Sequence, residues 1–598
     1  MKWLRAVGQR YLDDSAAGGW LIAAAGIGLL VAAPILSLIA IAARGSGDLW
    51  PHLVAYVFPN TLRQTVLLLA GVGVMVTAIG TGLAWLLTAY DFPGRRVFEW
   101  ALLLPLAIPT YIMAFAYLDI LHPIGPIQTG LRSLLGIANP RDLWFPEVRS
   151  LGGCVLLFGF VLYPYVFLST RAMFLMQAAS LMEVSRTLGA GRARVFFTVA
   201  LPLARPAIAV GTSLALMEAL NDIGAAEFLG VQTLSVSIYV TWINRSNLAG
   251  AAQIAIMLLA IVVSLIAVER WARRHQRYVG ASQRARRAAP QKLEGWRAGV
   301  AIGLATVPIL FGFVLPAGYL LIEAVKRVRF AGLSLDIVRE IVNTVVVAGV
   351  ATAVAVLLGL VVTYAARLAR GPIGQAIVPM ASLGYAVPGT VLAIGLLTPL
   401  AAFDNALAAV IEQLFGVSIG LVMTGTGLAL IYAYAVRFLA ISAGGIESGF
   451  GKIAPSLDQA ARTLGSSPTD TLLRVHLPLI RPALGAAALL VFVDCMKELP
   501  ATLLLRPLNF ETLATHLYGE AARGTYEDGA IAALCIVLFG LVPVMLLARL
   551  SRRPSMALDH RSQRASTEVM AEMLSVPDPE LMPETEPRRD VAADRARA

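Results

Sequence analysis

Ser180-Leu181-Met182-Glu183-Val184-Ser185-Arg186-Thr187-Leu188-Gly189, continuing to Leu201-Pro202-Leu203-Ala204-Arg205-Pro206-Ala207, recurs 276 positions later. The second copy reads Ser456-Leu457-Asp458-Gln459-Ala460-Ala461-Arg462-Thr463-Leu464-Gly465, continuing to Leu477-Pro478-Leu479-Ile480-Arg481-Pro482-Ala483. Thirteen positions are identical without a gap, too many for two amphipathic helices that match by composition alone. A repeat this long and this widely spaced means two homologous halves, not a short-period solenoid. Each copy lies between hydrophobic stretches, and duplicated halves in a membrane protein place a pore or cleft between related bundles.

Of the 598 residues, 58% are hydrophobic and only 14% charged. Soluble domains carry about a quarter charged residues, so most of this chain faces something other than water. Apolar stretches recur near the ~20 residues that a helix needs to cross a hydrocarbon core. An outer-membrane barrel would show short alternating segments instead. The expected fold class is therefore all-α, a polytopic membrane protein of about twelve transmembrane helices. The windows fall at 20–43, 61–89, 97–121, 151–172, 203–225 and 250–269, then at 298–322, 341–367, 374–401, 418–441, 480–502 and 528–550.

Six spans per half is an even number, so both halves enter the membrane from the same side. The repeat is then parallel, with a pseudo-twofold axis along the membrane normal and the pathway near it. The organisation expected is an N-terminus at 1–19, a first half at 20–269, a basic linker at 270–297, a second half at 298–550 and a tail at 551–598. Asn60-Thr61 is matched with Asn343-Thr344, and Leu104-Pro105-Leu106-Ala107-Ile108-Pro109 with Leu383-Gly384-Tyr385-Ala386-Val387-Pro388. Prolines inside such spans free backbone carbonyls and kink the helix, for packing or for gating.

The net charge of +11 does not mark a nucleic-acid partner, because of where it falls. Arg270, Arg273, Arg274, Arg277, Arg284, Arg286, Arg287, Lys292 and Arg297 crowd the linker. Arg95, Arg96, Arg367 and Arg370 fall in loops on the same side by the span count. Basic loops stay in the cytoplasm, so both termini are expected inside. The first span follows Lys2, Arg5 and Arg10 and has no evident cleavage site behind it, which reads as an uncleaved anchor. Cys154, Cys495 and Cys535 sit in apolar surroundings without ligand spacing and read as packing residues. The Arg-, Glu-, Asp- and Pro-rich tail is expected to be disordered in the cytoplasm.

Each repeated block falls between the fourth and fifth span of its half, on the cytoplasmic side. A short helix, a glycine (Gly189 or Gly465) that tolerates positive φ, a second short helix and a Leu-Pro bend make a compact projection. Its apolar residues have nothing within the loop to cover them, so a partner is implied; an amphipathic helix on the bilayer surface would explain one such loop but not two. The pattern of an acidic residue and small residues, then Gly, then Leu-Pro resembles the cytoplasmic loop of ABC import permeases, the inner-membrane components of binding-protein-dependent transport. The resemblance extends over nearly all of residues 15–550. It implies a coupling helix in each loop, 177–202 and 453–478, fitting a cleft on an ATPase subunit. It thus implies two ATPase copies, a periplasmic binding protein and a bacterial inner-membrane location. The coupling positions would be Glu183, Arg186, Gly189 and Pro202 in the first half and Gln459, Arg462, Gly465 and Pro478 in the second. Gln459 departs from the acidic pattern, with Asp458 beside it, which leaves the two ATPase contacts chemically unequal.

No phosphate-binding loop is present: Gly451-Lys452 is followed by Ile453 and lacks the upstream glycine. A non-catalytic permease is expected, binding no cofactor, with ATP and magnesium on the partner ATPase. The six histidines show no metal spacing, which argues against a membrane enzyme. An ion-coupled secondary transporter would need no duplicated docking loop, and exporters couple through longer helix extensions.

Charges inside spans are costly and need a reason. Glu218 and Asp222 lie four apart near the outer end of the fifth span, and the 276-residue shift maps them onto Asp494 and Glu498, with Lys497 the only nearby cation in these segments. Four hard carboxylates around an axis would attract a multivalent cation, as a transient site or an electrostatic guide and not a permanent metal centre. The alternative is that each is held by an arginine elsewhere or by backbone donors, purely for packing. Met217-Glu218-Ala219-Leu220-Asn221-Asp222-Ile223-Gly224 and Val493-Asp494-Cys495-Met496-Lys497-Glu498-Leu499-Pro500 resemble the ferric-iron import permeases, which share the fused two-half architecture. Permeases for thiamine, polyamines and aminoalkylphosphonates carry much of the same pattern. By this resemblance the transporter works by alternating access: ATP binding closes the ATPases, the coupling helices carry the motion, and the pathway opens outward to the binding protein.

Overall fold

The computed structural model describes residues 15–176, 191–273, 290–332, 334–369 and 372–552. In the first half the principal helices are α1 (Ser15–Ala43), α2 (Phe58–Ala89), α3 (Arg95–Ala101), α4 (Thr110–Ile120), α5 (Leu151–Met176), α6 (Leu201–Asn221), α7 (Gly224–Phe228), α8 (Leu234–Ile243) and α9 (Leu248–Arg273). The second half holds α10 (Trp296–Ile309), α11 (Leu315–Ala331), α12 (Leu335–Leu368), α13 (Pro372–Ala381), α14 (Gly389–Phe415), α15 (Leu428–Phe450) and α16 (Pro455–Thr463). It continues with α17 (Pro468–Thr471), α18 (Leu477–Met496), α19 (Pro500–Leu505), α20 (Leu513–Arg523) and α21 (Tyr526–Arg552). Eleven described helices are long and apolar enough to cross a membrane, or twelve if the pair Arg95–Ala107 and Thr110–Ile120 is one span bent by 89°. The expected all-α, roughly twelve-span chain is what the structure shows.

Two windows are broken early by proline. The window 97–121 is the bent pair, and 374–401 is interrupted before α14, which runs on to Phe415 and displaces the next span to Leu428–Phe450. The cause is the same proline in both halves. Pro109 (φ −56°, ψ 148°) and Pro388 (φ −55°, ψ 146°) adopt extended backbone directly before α4 and α14. Proline has no N–H to give the preceding turn, so the helix stops there and restarts with proline at its head.

The long helices repeat their packing. Gly80 of α2 faces Val166 and Phe167 of α5, and a Cβ there would lie 2.7 Å from Val166 Cβ. Gly359 of α12 faces Ser442 and Ala443 of α15 in the same way, with 2.2 Å to Ser442 Oγ. Small residues at these crossings let the backbones approach in lipid, where packing replaces the hydrophobic effect as the driving force. The halves also exchange their first spans. Gly395 of α14 abuts Pro34 of α1, while Gly312, between α10 and α11, abuts Pro105 and the Phe160 carbonyl of the first half. Tyr432 Oη donates to the Leu30 carbonyl (2.7 Å) and Tyr117 Oη to that of Phe311 (2.6 Å), so each exchange is sealed by a hydrogen bond. A two-residue parallel bridge, β1 (Tyr90–Asp91) with β2 (Gln291–Lys292), ties the end of the basic linker to the first half.

The expected match of Asn60-Thr61 with Asn343-Thr344 is corrected by hydrogen bonding. Thr344 Oγ1 accepts the Leu513 N–H (2.9 Å), and its counterpart is Thr65, whose Oγ1 accepts the Leu234 N–H (3.0 Å). Thr61 bonds only within its own helix, to the Val57 and Phe58 carbonyls. The shift is therefore 279 residues here and 276 in the repeated block.

Candidate functional site

Helices α6 and α18 both end inside the protein and are followed, after a short break, by α7 and α19. A helix start in such a place leaves free N–H groups that need acceptors. Asp222 and Glu498 supply them. Asp222 Oδ1 accepts the Ala225 N–H (2.6 Å), and Glu498 accepts those of Ala501 (3.1 Å) and Thr502 (3.2 Å). These residues are partners under the 276-residue shift, so two of the four carboxylates have the same structural task in both halves.

Around these breaks the structure brings together all four: Glu218, Asp222, Asp494 and Glu498 line one cavity of about 100 Å³ between the halves, with Lys497 and Arg437. Lys497 Nζ lies 2.8 Å from Asp494 Oδ1, and Arg437 Nη1 lies 2.7 Å from Glu498 Oε1. Four carboxylates against two cations leave a formal charge of −2, carried by Glu218 and Asp222. These two have hydroxyl partners: Tyr385 Oη donates to Glu218 (3.4 Å) and Thr110 Oγ1 to Asp222. Among the described residues, no group of three or more His, Cys, Asp or Glu is arranged to hold a metal ion. The cavity can attract a cation electrostatically without offering a ready coordination shell.

Lys497 is not the only cation here. Arg437 of α15 was hidden from the pairing of α6 with α18 because it comes from another span, yet an arginine in the apolar run Leu428–Phe450 is itself a signal. The packing alternative thus describes Glu498, held by Arg437, and Asp222, held by backbone donors. The halves have diverged to make room for that arginine. Thr110 follows Pro109 in the first half; Gly389 follows Pro388 in the second, where a Cβ would lie 2.1 Å from Arg437 Nη1. The shift that pairs Leu162 with Phe438 puts Val161 opposite Arg437, and Asn221 opposite Lys497; all four line the cavity.

The second repeated block is a defined projection. Helix α16 ends at Gly465, whose φ of +78° permits the left-handed turn, and Ser467 then caps α17 through the Asp470 N–H (3.1 Å). Gln459, Arg462 and Gly465 are exposed, and Leu457, Leu464 and Leu473 leave apolar surface uncovered at 42%, 84% and 55%. At the expected Leu-Pro bend the helix is unbroken. Pro202 and Pro478 sit in the first turn of α6 and α18, and each helix continues back through a widened π turn, Phe196–Ala200 or Leu472–His476. The wider turn accommodates the proline ring and its missing N–H without interrupting the helix. Glu183, Arg186 and Gly189 lie outside the described residues.

A model of the family described as "Binding-protein-dependent transport system inner membrane component" matches residues 76–278 and again 355–555. The chain is similar to the Fe(3+)-transport system permease protein FbpB 2 of Haemophilus influenzae. The two are 25% identical over 491 residues, 82% of this chain and 89% of that protein. It is also similar to the molybdenum transport system permease protein ModB of Escherichia coli K12, 30% identical over 204 residues, 33% of this chain and 86% of that protein. Among solved structures it matches a chain in the crystal structure of a bacterial alginate ABC transporter in complex with alginate pentasaccharide-bound periplasmic protein. That match has a TM-score of 0.32 at 17% identity and covers 42% of this chain and 93% of the other.

Proposed function

The chain belongs to the family of binding-protein-dependent transport system inner membrane components, with the family's domain present twice, and from that premise we propose that it carries ferric iron from periplasm to cytoplasm. It is a multi-pass inner-membrane permease subunit of an ABC importer, working with a binding protein, and the ATP is hydrolysed by another chain. The observation that carries the cargo reading is the acidic surplus in the cavity between the halves, four carboxylates against two cations. Such a field draws a multivalent cation and repels an oxyanion. The ferric permease relative, alike over nearly its whole length, supports the same cargo.

In this reading both termini are cytoplasmic, since Arg95, Arg96 and Arg367 share an end of the bundle with α16. Two ATPase copies, each holding ATP and magnesium, grip the two repeated loops: Glu183, Arg186, Gly189 and Pro202 in one, Gln459, Arg462, Gly465 and Pro478 in the other. Their closure opens the cavity outward to a loaded binding protein. Glu218, Asp222, Asp494 and Glu498 line the route, and among the described residues Glu218 is the acid of the four that forms no ion pair and caps no helix start.

Lys497 and Arg437 favour a second reading, an anionic cargo, to which the molybdenum permease relative also points. Uptake of radiolabelled ferric iron and of molybdate separates the two. The chain would be reconstituted in proteoliposomes with an ABC ATPase and a periplasmic binding protein that co-purify with it. ATP-dependent iron uptake without molybdate uptake is the expected result, and the reverse overturns the ferric reading.

A further inference from the structure

The sequence singled out Asp458 only as an acidic neighbour of Gln459. In the structure it is the centre of an ionic knot that fastens α16 to the membrane bundle. Arg367, at the end of α12, places Nη2 2.9 Å and Nε 3.1 Å from Asp458 Oδ2. The same guanidinium donates to the carbonyls of Phe450 (3.0 Å) and Ile453 (3.3 Å), which close the end of α15. On the other side His476 Nε2 lies 2.5 Å from Asp458 Oδ1. His476 belongs to the π turn that leads into α18, is 1% exposed, and packs edge-on to Tyr364 and Phe450. Tyr364 closes the ring by donating to the Pro468 carbonyl of α17. One carboxylate on α16 thus joins α12 to the turn into α18, and Arg367 extends the contact to the end of α15, beside a cavity of about 340 Å³ that also touches Arg462 and Gly465.

At the positions matched to Arg367, Asp458 and His476 the first half carries none of these three side chains. The frame that matches Thr65 with Thr344 and Gly80 with Gly359 puts Thr88 opposite Arg367. The frame of the repeated block puts Met182 opposite Asp458 and Ala200 opposite His476. None of those three can reproduce the Arg367–Asp458 ion pair or the His476–Asp458 hydrogen bond.

We propose that Arg367, Asp458 and His476 are positioning residues that make the second repeat's coupling helix a rigid lever, so that the two ATPase contacts transmit motion unequally. This rests on the reading of α16 as an ATPase contact. A helix joined to its span only through Gly465 could tilt without moving α18. A helix whose middle is tied to α12, α15 and α18 carries them with it, which is the physical requirement for a transmitted displacement.

The test uses the full chain in nanodiscs with its ATPase, with hydrogen exchange measured before and after trapping with ATP and vanadate. In the wild type, trapping should change exchange in both 201–228 and 477–505. With Asp458→Asn the change in 477–505 should shrink about fivefold while that in 201–228 persists, and Asp458→Glu should restore most of it. A loss of packing stability alone would lower Tm without separating the two segments. Arg367→Lys, which keeps the charge but loses the carbonyl bonds, should lie in between and serves if Asp458→Asn does not fold. Equal responses of both segments in Asp458→Asn or in Arg367→Lys overturn the lever. A wild-type chain that does not retain the ATPase overturns the docking reading beneath it.

Discussion

Four carboxylates that look equivalent in the chain do different work. Glu498 neutralises Arg437, and both are buried. Removing one partner leaves the other charge uncompensated, so Glu498→Gln should cost about 3–5 kcal/mol and lower Tm. Glu218, whose partner is a tyrosine hydroxyl at 3.4 Å, should behave oppositely: Glu218→Gln keeps Tm and cuts iron uptake. Equal effects of the two substitutions on stability and uptake would count against this division. At the outer end His516 Nδ1 lies 3.0 Å from Glu340 Oε1. Burial pulls the imidazole pKa down, but the Glu340 hydrogen bond and charge, with Glu520 and the Asp528 carbonyl, outweigh it and raise it. A raised pKa means the protonated form is favoured by folding. That stability is fully present below the unfolded value of about 6.5 and is lost as pH rises through the folded value. Tm should therefore decline across that window, and His516→Gln should flatten the decline; an unchanged slope would contradict it.

At the scale of elements, one glycine and one crossing are decisive. Gly465 at φ +78° has open space around it, so a side chain there meets backbone strain and not a clash. Gly465→Val should cost about 1–2 kcal/mol, and the ATPase should hydrolyse ATP without matching uptake. Coupled uptake at the wild-type ratio would show that the turn is not needed. Gly359, pressed against Ser442, tests the interior instead: Gly359→Val should destabilise by about 1–3 kcal/mol, read from thermal unfolding.

The spans, the duplication and the acidic pairs were legible because each is a local or periodic signal. The break before Pro388 was harder, since Leu383-Gly384-Tyr385-Ala386 is as apolar as a span and only the proline backbone stops it. The π turns at Pro202 and Pro478 were not legible, because Leu-Pro encodes a bend or a widened turn equally well. Arg437 was visible as a residue but not as a partner, since its meeting with Glu498 depends on how α15 packs against α18.

For the whole molecule, the structure is a pair of related halves that exchange their first spans and enclose a cavity whose chemistry differs between them. Valine, asparagine and threonine on one side face arginine, lysine and glycine on the other, at matched positions. Pseudo-symmetry therefore builds the cavity, and departures from it set its charge. The same holds where the second repeated block meets the bundle: Arg367, Asp458 and His476 have Thr88, Met182 and Ala200 at the matched first-half positions. In the proposed transporter both repeated blocks are gripped by the ATPase from inside the cell. The decisive measurement uses single cysteines replacing Glu183 and Gln459, probed in oriented membranes with an impermeant thiol reagent and a short crosslinker. Both positions should react only from the cytoplasmic face and crosslink to the ATPase. Reaction of either from the periplasmic face, or no crosslink at both, would contradict the account.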